Sequence, residues 1–300
     1  MYDIIGLLKL LTKPVNYTIT LVLFLNTSVG ILLPFLQGNT PNLTNWSISI
    51  AALLISVMLV TMKWFNKLIF TLFRIKGKCS KVDKSSYHER LSPIFADAVQ
   101  RSRAVAPNIR EDIEFYIVEN DELVGVKSSG SNIIHITTAA ADQLTDEELG
   151  AMLARECGHI GNRDFELKTL LFLSGIPNVV IVLCWKIQDL ILKLIKNVFR
   201  GGLESLACDI VRIMAFVMFL PIFLWMILIV AINLSSFQQK EMDADTFSVC
   251  LGYANELESA LKKIYSDKIS LIDRFFGGIP SLEKRLKNIE NIVNSTTTTK

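Results

Sequence analysis

The sequence predicts an α+β chain, mainly helical, with a small sheet, in which membrane hairpins precede and interrupt the folded part. Three observations carry this. The 300 residues are 51% hydrophobic with a mean hydropathy of +0.40, more apolar than an ordinary soluble domain and long enough to bury a core. The apolar excess is gathered into separate blocks. Between the blocks the residues follow ordinary helix and strand periods.

The first block lies at the N-terminus. No Asp, Glu, Lys or Arg occurs between Lys13 and Lys63, and the turn-rich QGNTPNLTN at 37–45 cuts the run. The flanks, Tyr17–Leu36 and Trp46–Met62, each approach the ~20 apolar residues of a bilayer crossing, so residues 1–75 read as a two-span membrane hairpin. A cleaved signal peptide is the competing reading; the apolar run is too long for one and no small-residue cleavage pattern follows. Lys63, Lys67, Arg74, Lys76, Lys78 and Lys81 come after the second flank while the 37–45 loop is uncharged. That asymmetry places the following polar region in the cytoplasm and gives the basic run lipid headgroups as partners.

Residues 76–168 look globular. SYHERLSPIFADAVQRSRAV is an amphipathic helix, and IEFYIVEN and SNIIHITTAA are strand-like. LTDEELGAMLARECGHIGNRD is a helix in which Thr145 is the cap and Glu148 completes a capping box. A second hydrophobic hairpin follows over 169–236. Its later arm, from Ile213 to about Leu234, is long enough to span. Its earlier arm, Thr169–Trp185, holds Gly175, Pro177 and Asn178 and is marginal, with a re-entrant or buried arm as the alternative. The connection carries Lys186, Lys193, Lys196 and Arg200 against Asp189, Glu204 and Asp209, which is not the usual look of a translocated loop. The globular pattern resumes over 237–293, and the low-complexity NSTTTTK at 294–300 reads as a disordered tail. No internal repeat is evident.

Cys79, Cys157, Cys184, Cys208 and Cys250 are odd in number, scattered and never in C-x-x-C spacing. They indicate neither a disulfide framework nor a cysteine zinc site, but a reduced environment. The net charge of +2 gives no sign of a nucleic-acid partner.

Chemistry concentrates in RECGH. Two histidines four apart on a helix, with a glutamate beside the first, make half of a zinc protease site; here Arg155 stands in the first position, followed by Glu156 and His159. At ~100° per residue, positions 155 and 159 lie about 40° apart on one helix face. Glu156 beside them could polarise a metal-bound water and protonate a leaving amine. Alone, the fragment fits a satisfied surface helix better. After the second hydrophobic block, QQKEMDADTFSVCLGY places Glu241 and Asp245 four apart, and an acidic helix is what a His/His/Glu zinc ion requires for its third ligand. Without a metal these carboxylates would simply pair with Arg155, and His135 reads as a strand residue rather than a ligand.

These segments resemble the HtpX family of membrane-bound zinc metalloproteases, relatives of the CAAX prenyl proteases. The likeness lies in LTDEELGAMLARECGHIGNRD, in KEMDAD, in the closing IPSLEKRLKNI and in the order of parts, and it covers nearly the whole chain. It implies a zincin-like metalloprotease domain facing the cytoplasm from a bacterial inner (plasma) membrane. One Zn²⁺ and a protein or peptide substrate are implied with it. By position it makes His159 and Glu241 zinc ligands, Glu156 the general base, Asp245 a supporting carboxylate and the strand around 131–138 a wall of the cleft.

Two departures from that family stand out. Arg155 replaces the first ligand histidine, and Ile279 replaces a histidine before the proline of the closing motif. Arginine keeps its proton, with a pKa above ~12, and offers no lone pair. The only histidines are His88, His135 and His159, so no second motif exists. A bidentate bridge from Arg155 to Glu241 or Glu156 would fill the position and join the two helices as zinc does in relatives. Three functions stay open. The first is an HtpX-like integral-membrane zinc metalloendopeptidase cutting membrane or misfolded proteins with a metal-activated water. The second is a pseudoprotease of the same fold that binds a peptide or partner. The third, a transporter or channel, is disfavoured because no expected span holds a charged residue.

Overall fold

The structure is a computed structural model describing residues 43–60, 77–129, 132–198, 203–266 and 279–298, with scattered positions before residue 77. The expected first span, Tyr17–Leu36, lies outside the described residues except for Thr20 and Leu23. The chain divides into two compact units, one built from 61–168 and 234–300 with the first two residues, the other from 3–60 and 169–233.

The first unit holds a four-stranded sheet of order β1-β2-β4-β3, with β1 (Cys79–Lys81), β2 (Glu114–Val118), β3 (Val126–Ser128) and β4 (Ile133–Thr137). Central β2 and β4 run parallel, with Tyr116 opposite His135, while β1 and β3 are antiparallel edges. All five residues of β4 are buried, the continuous apolar pattern of a strand covered on both faces. The strand-like IEFYIVEN and SNIIHITTAA thus form the two inner strands.

Helices complete the unit. The amphipathic segment forms α2 (His88–Val105), after α1 (Leu43–Val60) of the other unit. Thr137 caps the short α3 (Thr138–Gln143), its hydroxyl accepting from Ala140 N at 3.1 Å. The RECGH segment lies in α4 (Asp146–Gly161), where the expected capping box is complete: Thr145 Oγ1 accepts from Glu148 N at 3.3 Å and Glu148 Oε2 accepts from Thr145 N at 2.8 Å. Every residue from Glu148 to Ile160 is buried, because α4 packs on α2 and beside β3. Two long helices follow, α5 (Asp164–Val198) and α6 (Leu203–Cys250), then α7 (Ala254–Ser266), which also packs on α4, and α8 (Leu282–Thr298).

Two segments are helical further than their local residues suggest. The Thr169–Trp185 segment continues as helix through Gly175 and Pro177; each residue of a long helix adds a hydrogen bond, against ~1 kcal/mol for a glycine and ~3 for a proline. Helix α8 runs to Thr298, into the 294–300 stretch read as a disordered tail, since a helix already nucleated upstream propagates cheaply.

Among the described residues no helix is long and apolar enough to cross a membrane. The expected third span runs into Lys186, Asp189, Lys193 and Lys196 on the same helix. Several helix faces nevertheless present large apolar side chains outward, among them Leu54 and Ile55 on α1, Leu190 and Leu194 on α5, and Phe216 and Phe223 on α6.

Candidate active site

The site forms where α4 meets the C-terminal part of α6. Gly158 permits the approach: a Cβ there would lie 3.0 Å from Phe247 Cδ1 and 3.2 Å from Phe247 Cβ. Ser248 adds a polar strut, its hydroxyl donating to Ala151 O at 2.8 Å. These contacts bring the acidic face of α6, with Glu241 and Asp245, onto the Arg155/His159 face of α4.

Arg155 sits at the centre. Its Nε donates to Asp245 Oδ1 at 3.0 Å, its Nη1 to Glu156 Oε1 and its Nη2 to Glu241 Oε2. All four groups are buried or nearly so. Burial alone would lower the arginine pKa, but Glu241, Glu156 and Asp245 outweigh it and raise it further. Glu156 spends its other oxygen on β3: Ser128 N donates to Glu156 Oε2 at 2.6 Å. Both carboxylate oxygens of the expected base are therefore engaged.

His159 lies across the same face, with Nε2 3.6 Å from Glu241 Oε2 and Nδ1 2.8 Å from Asp164 Oδ2. Burial works against its charge, yet Glu241 and the Asp164 hydrogen bond prevail and push its pKa up to about 9. Burial would raise Glu241, but Arg155, His159 and Lys168 hold it well below the usual carboxylate range; Lys168 Nζ donates to Glu241 Oε1 at 3.3 Å.

Asp245 joins a second arginine. Arg285, from the closing IPSLEKR, donates from Nε to Asp245 Oδ2 at 2.7 Å and from Nη2 to Asp245 Oδ1 at 2.5 Å, and its Nη1 reaches Tyr265 Oη at 3.3 Å. Asp164 is turned back toward His159 by Arg163, whose φ of +53° is rare outside glycine, and its other oxygen lies 3.3 Å from Lys240 Nζ.

Arg155, Glu156, His159, Glu241 and Asp245 are thus brought together. The sequence reading missed Ser128, Asp164, Lys168, Lys240 and Arg285. Asp164, Lys240 and Arg285 stand inside quoted motifs; Ser128 and Lys168 carry no pattern. His135 is fully buried in β4 and His88 lies exposed at the start of α2, its Nδ1 2.8 Å from Ser92 Oγ.

Residues 102–293, more than half of the chain, match peptidase family M48. The chain belongs to peptidase family M48. The match supports a metalloprotease-type domain, in a family whose peptidases are generally zinc-dependent. No curated protein matches the chain.

The residues of this M48 site do not fit a zinc ion. A catalytic zinc takes three protein ligands; His159 and Glu241 supply two donors, and a guanidinium with no lone pair occupies the third direction. Among the described residues no group of three or more His, Cys, Asp or Glu is arranged to hold a metal ion. The cation at this centre is Arg155 itself.

Proposed function

We propose that this M48 protein is an integral membrane member of the HtpX type whose cleavage centre is neutralised by an internal cation, and that it binds polypeptide segments without hydrolysing them. One observation carries the reading: the Arg155 guanidinium bonds to Glu156, Glu241 and Asp245 together. Peptide hydrolysis needs a polarised water and a carboxylate free to take its proton. Here Glu156 is held on one side by Arg155 and on the other by the backbone of β3. The bonds that would draw α4 and α6 together around an ion are made by a fork of N–H donors, which keeps the fold and removes the chemistry.

The membrane part rests on the uncharged stretch from 14 to 62, the basic residues after it and the outward apolar side chains of α1, α5 and α6. Lipid is the partner for those faces, and residues 76–168 are cytoplasmic by the charge rule. The competing reading is a zinc endopeptidase of HtpX type. It is favoured by His159 Nε2 and Glu241 Oε2 standing 3.6 Å apart, and it requires Arg155 to leave.

Metal analysis of the purified full chain separates the two. The chain as it stands should carry substoichiometric zinc and leave an unfolded protein substrate intact. Arg155→His should take up about one zinc per chain, because it supplies the missing neutral imidazole. Glu156→Ala in that background should keep the metal and show no cleavage. Chelator-sensitive cleavage by the unaltered chain that also depends on Glu156 would overturn the proposal.

A further inference from the structure

The far end of the α5–α6 hairpin is built inside out. On α5 the least exposed positions between 186 and 198 are Asp189, Leu192 and Lys196, and on α6 between 206 and 217 they include Asp209, Arg212 and Ala215. These recur at three- and four-residue intervals, the spacing of a helix–helix seam. The seam is charged and internally paired. Arg212 donates from Nε to Asp189 Oδ1 at 2.8 Å and lies 3.4 Å from Asp209 Oδ1 through Nη1, while Lys196 reaches Asp209 across the hairpin. Lys193 closes on Asp189 at 2.7 Å. Most outward positions are apolar: Leu190, Leu194, Val198, Leu206, Ile210 and Ile213 are all exposed, with Lys186, Gln188, Lys193 and Asn197 the exposed polar positions of α5 between 186 and 198.

A hairpin standing in water does the reverse, burying leucines in the seam and showing charges to solvent. Charges that face one another across a helix pair while aliphatic side chains point away match a hydrocarbon surround. Helix length agrees. From residue 169 to 198, α5 rises ~45 Å at ~1.5 Å per residue, the thickness of a bilayer with both headgroup layers, and Asp189 falls ~30 Å along, inside the far half of the hydrocarbon and ~7 Å short of its edge.

We propose that the helical residues 183–198 and 203–217 are not an aqueous region but a lipid-immersed prong at the far leaflet. Its outward aliphatic side chains contact acyl chains, and the Asp189–Arg212–Asp209–Lys196 seam takes the place of water for its charges. The inference rests on the membrane part of the proposed function. It explains the unusual charge content of the connection: Lys193, Lys196 and Arg212 are consumed by Asp189 and Asp209.

The full chain, with its five native cysteines replaced by serine or alanine, is reconstituted in phosphatidylcholine vesicles with or without brominated acyl chains. Single cysteines are placed at Leu190, Leu194 or Ile210 and labelled with an environment-sensitive fluorophore. Bromine should quench each label several-fold, and membrane-impermeant maleimide should not reach the cysteines. Labels open to that reagent and indifferent to bromine would make the segment an aqueous loop and overturn the proposal. Labels shielded from both would mean that protein, such as a second copy, covers the face, and would overturn it equally. A second arm tests the seam. Asp189→Arg and Arg212→Asp should each lower the thermal midpoint in vesicles, and the exchanged double variant should recover it; no recovery counts against the paired seam. Alkaline carbonate extraction keeps the failures apart. A chain released by carbonate refutes the membrane reading itself, whereas a retained chain with water-open labels refutes only the immersed prong.

Discussion

At the residue scale one substitution decides the character of the site. Arg155 brings Glu156, Glu241 and Asp245 to a single guanidinium, so Arg155→Ala takes their shared cation from three buried carboxylates and leaves Asp245 to Arg285, Glu241 to Lys168 and His159, and Glu156 to the Ser128 N–H. Removing one partner of a buried ionic group costs about 3–5 kcal/mol, and denaturant unfolding should show a loss of that order. Arg155→Lys keeps the charge without the planar fork and should fall between. Arg155, Glu156, His159, Glu241 and Asp245 were legible because helical spacing and family likeness pointed at them. Lys168, Lys240 and Ser128 were not, because a lysine or a backbone N–H joins a site only through where other elements place it.

At the element scale the site depends on how closely α4 and α6 approach and on what anchors the start of α4. Gly158→Ala would set a methyl 3.0–3.2 Å from the Phe247 side chain. The expected result is a lower thermal midpoint, with Phe247→Leu in the same chain restoring part of it by making room. Thr145→Ala should cost about 1 kcal/mol through the lost cap, read by chemical denaturation. Glu148, at the other end of that capping box, is a pH-dependent tie. Burial pushes its pKa up, but Lys263, Ser259 and the Thr145 N–H together hold it below the ordinary carboxylate value. With the folded pKa below the unfolded one, this stabilisation is present above the unfolded value of ~4.3 and is lost as pH falls through the folded value. Glu148→Gln should therefore flatten the acid limb of a midpoint-against-pH curve and leave the neutral region least changed in slope.

At the scale of the whole molecule the prediction is topological. If the basic residues after 62 orient the chain, Cys79 in intact cells should resist a membrane-impermeant thiol reagent and react once the cells are opened. Labelling from outside would reverse the orientation. The hydrophobic blocks are read from composition, whereas the two long helices start earlier, α5 at Asp164 and α6 at Leu203. The continuity of α5 through Gly175 and Pro177 was not legible, since local breakers are read one residue at a time and helix propagation sums over the run.

The mainly helical α+β class, the two central strands and the capping box at Thr145 are written in local periodicity or short spacing; Arg155, Glu156, His159, Glu241 and Asp245 were singled out by helical spacing only together with the family resemblance. Only the tertiary structure decided what those five residues do together. Arg155 and Glu241 are 86 residues apart, and Asp245 meets Arg285 across another 40; no local pattern records which carboxylate a guanidinium will find. That choice is made by the packing of α6 on α4 at Gly158, where the cost of burying the charges is offset only by pairing all of them at once.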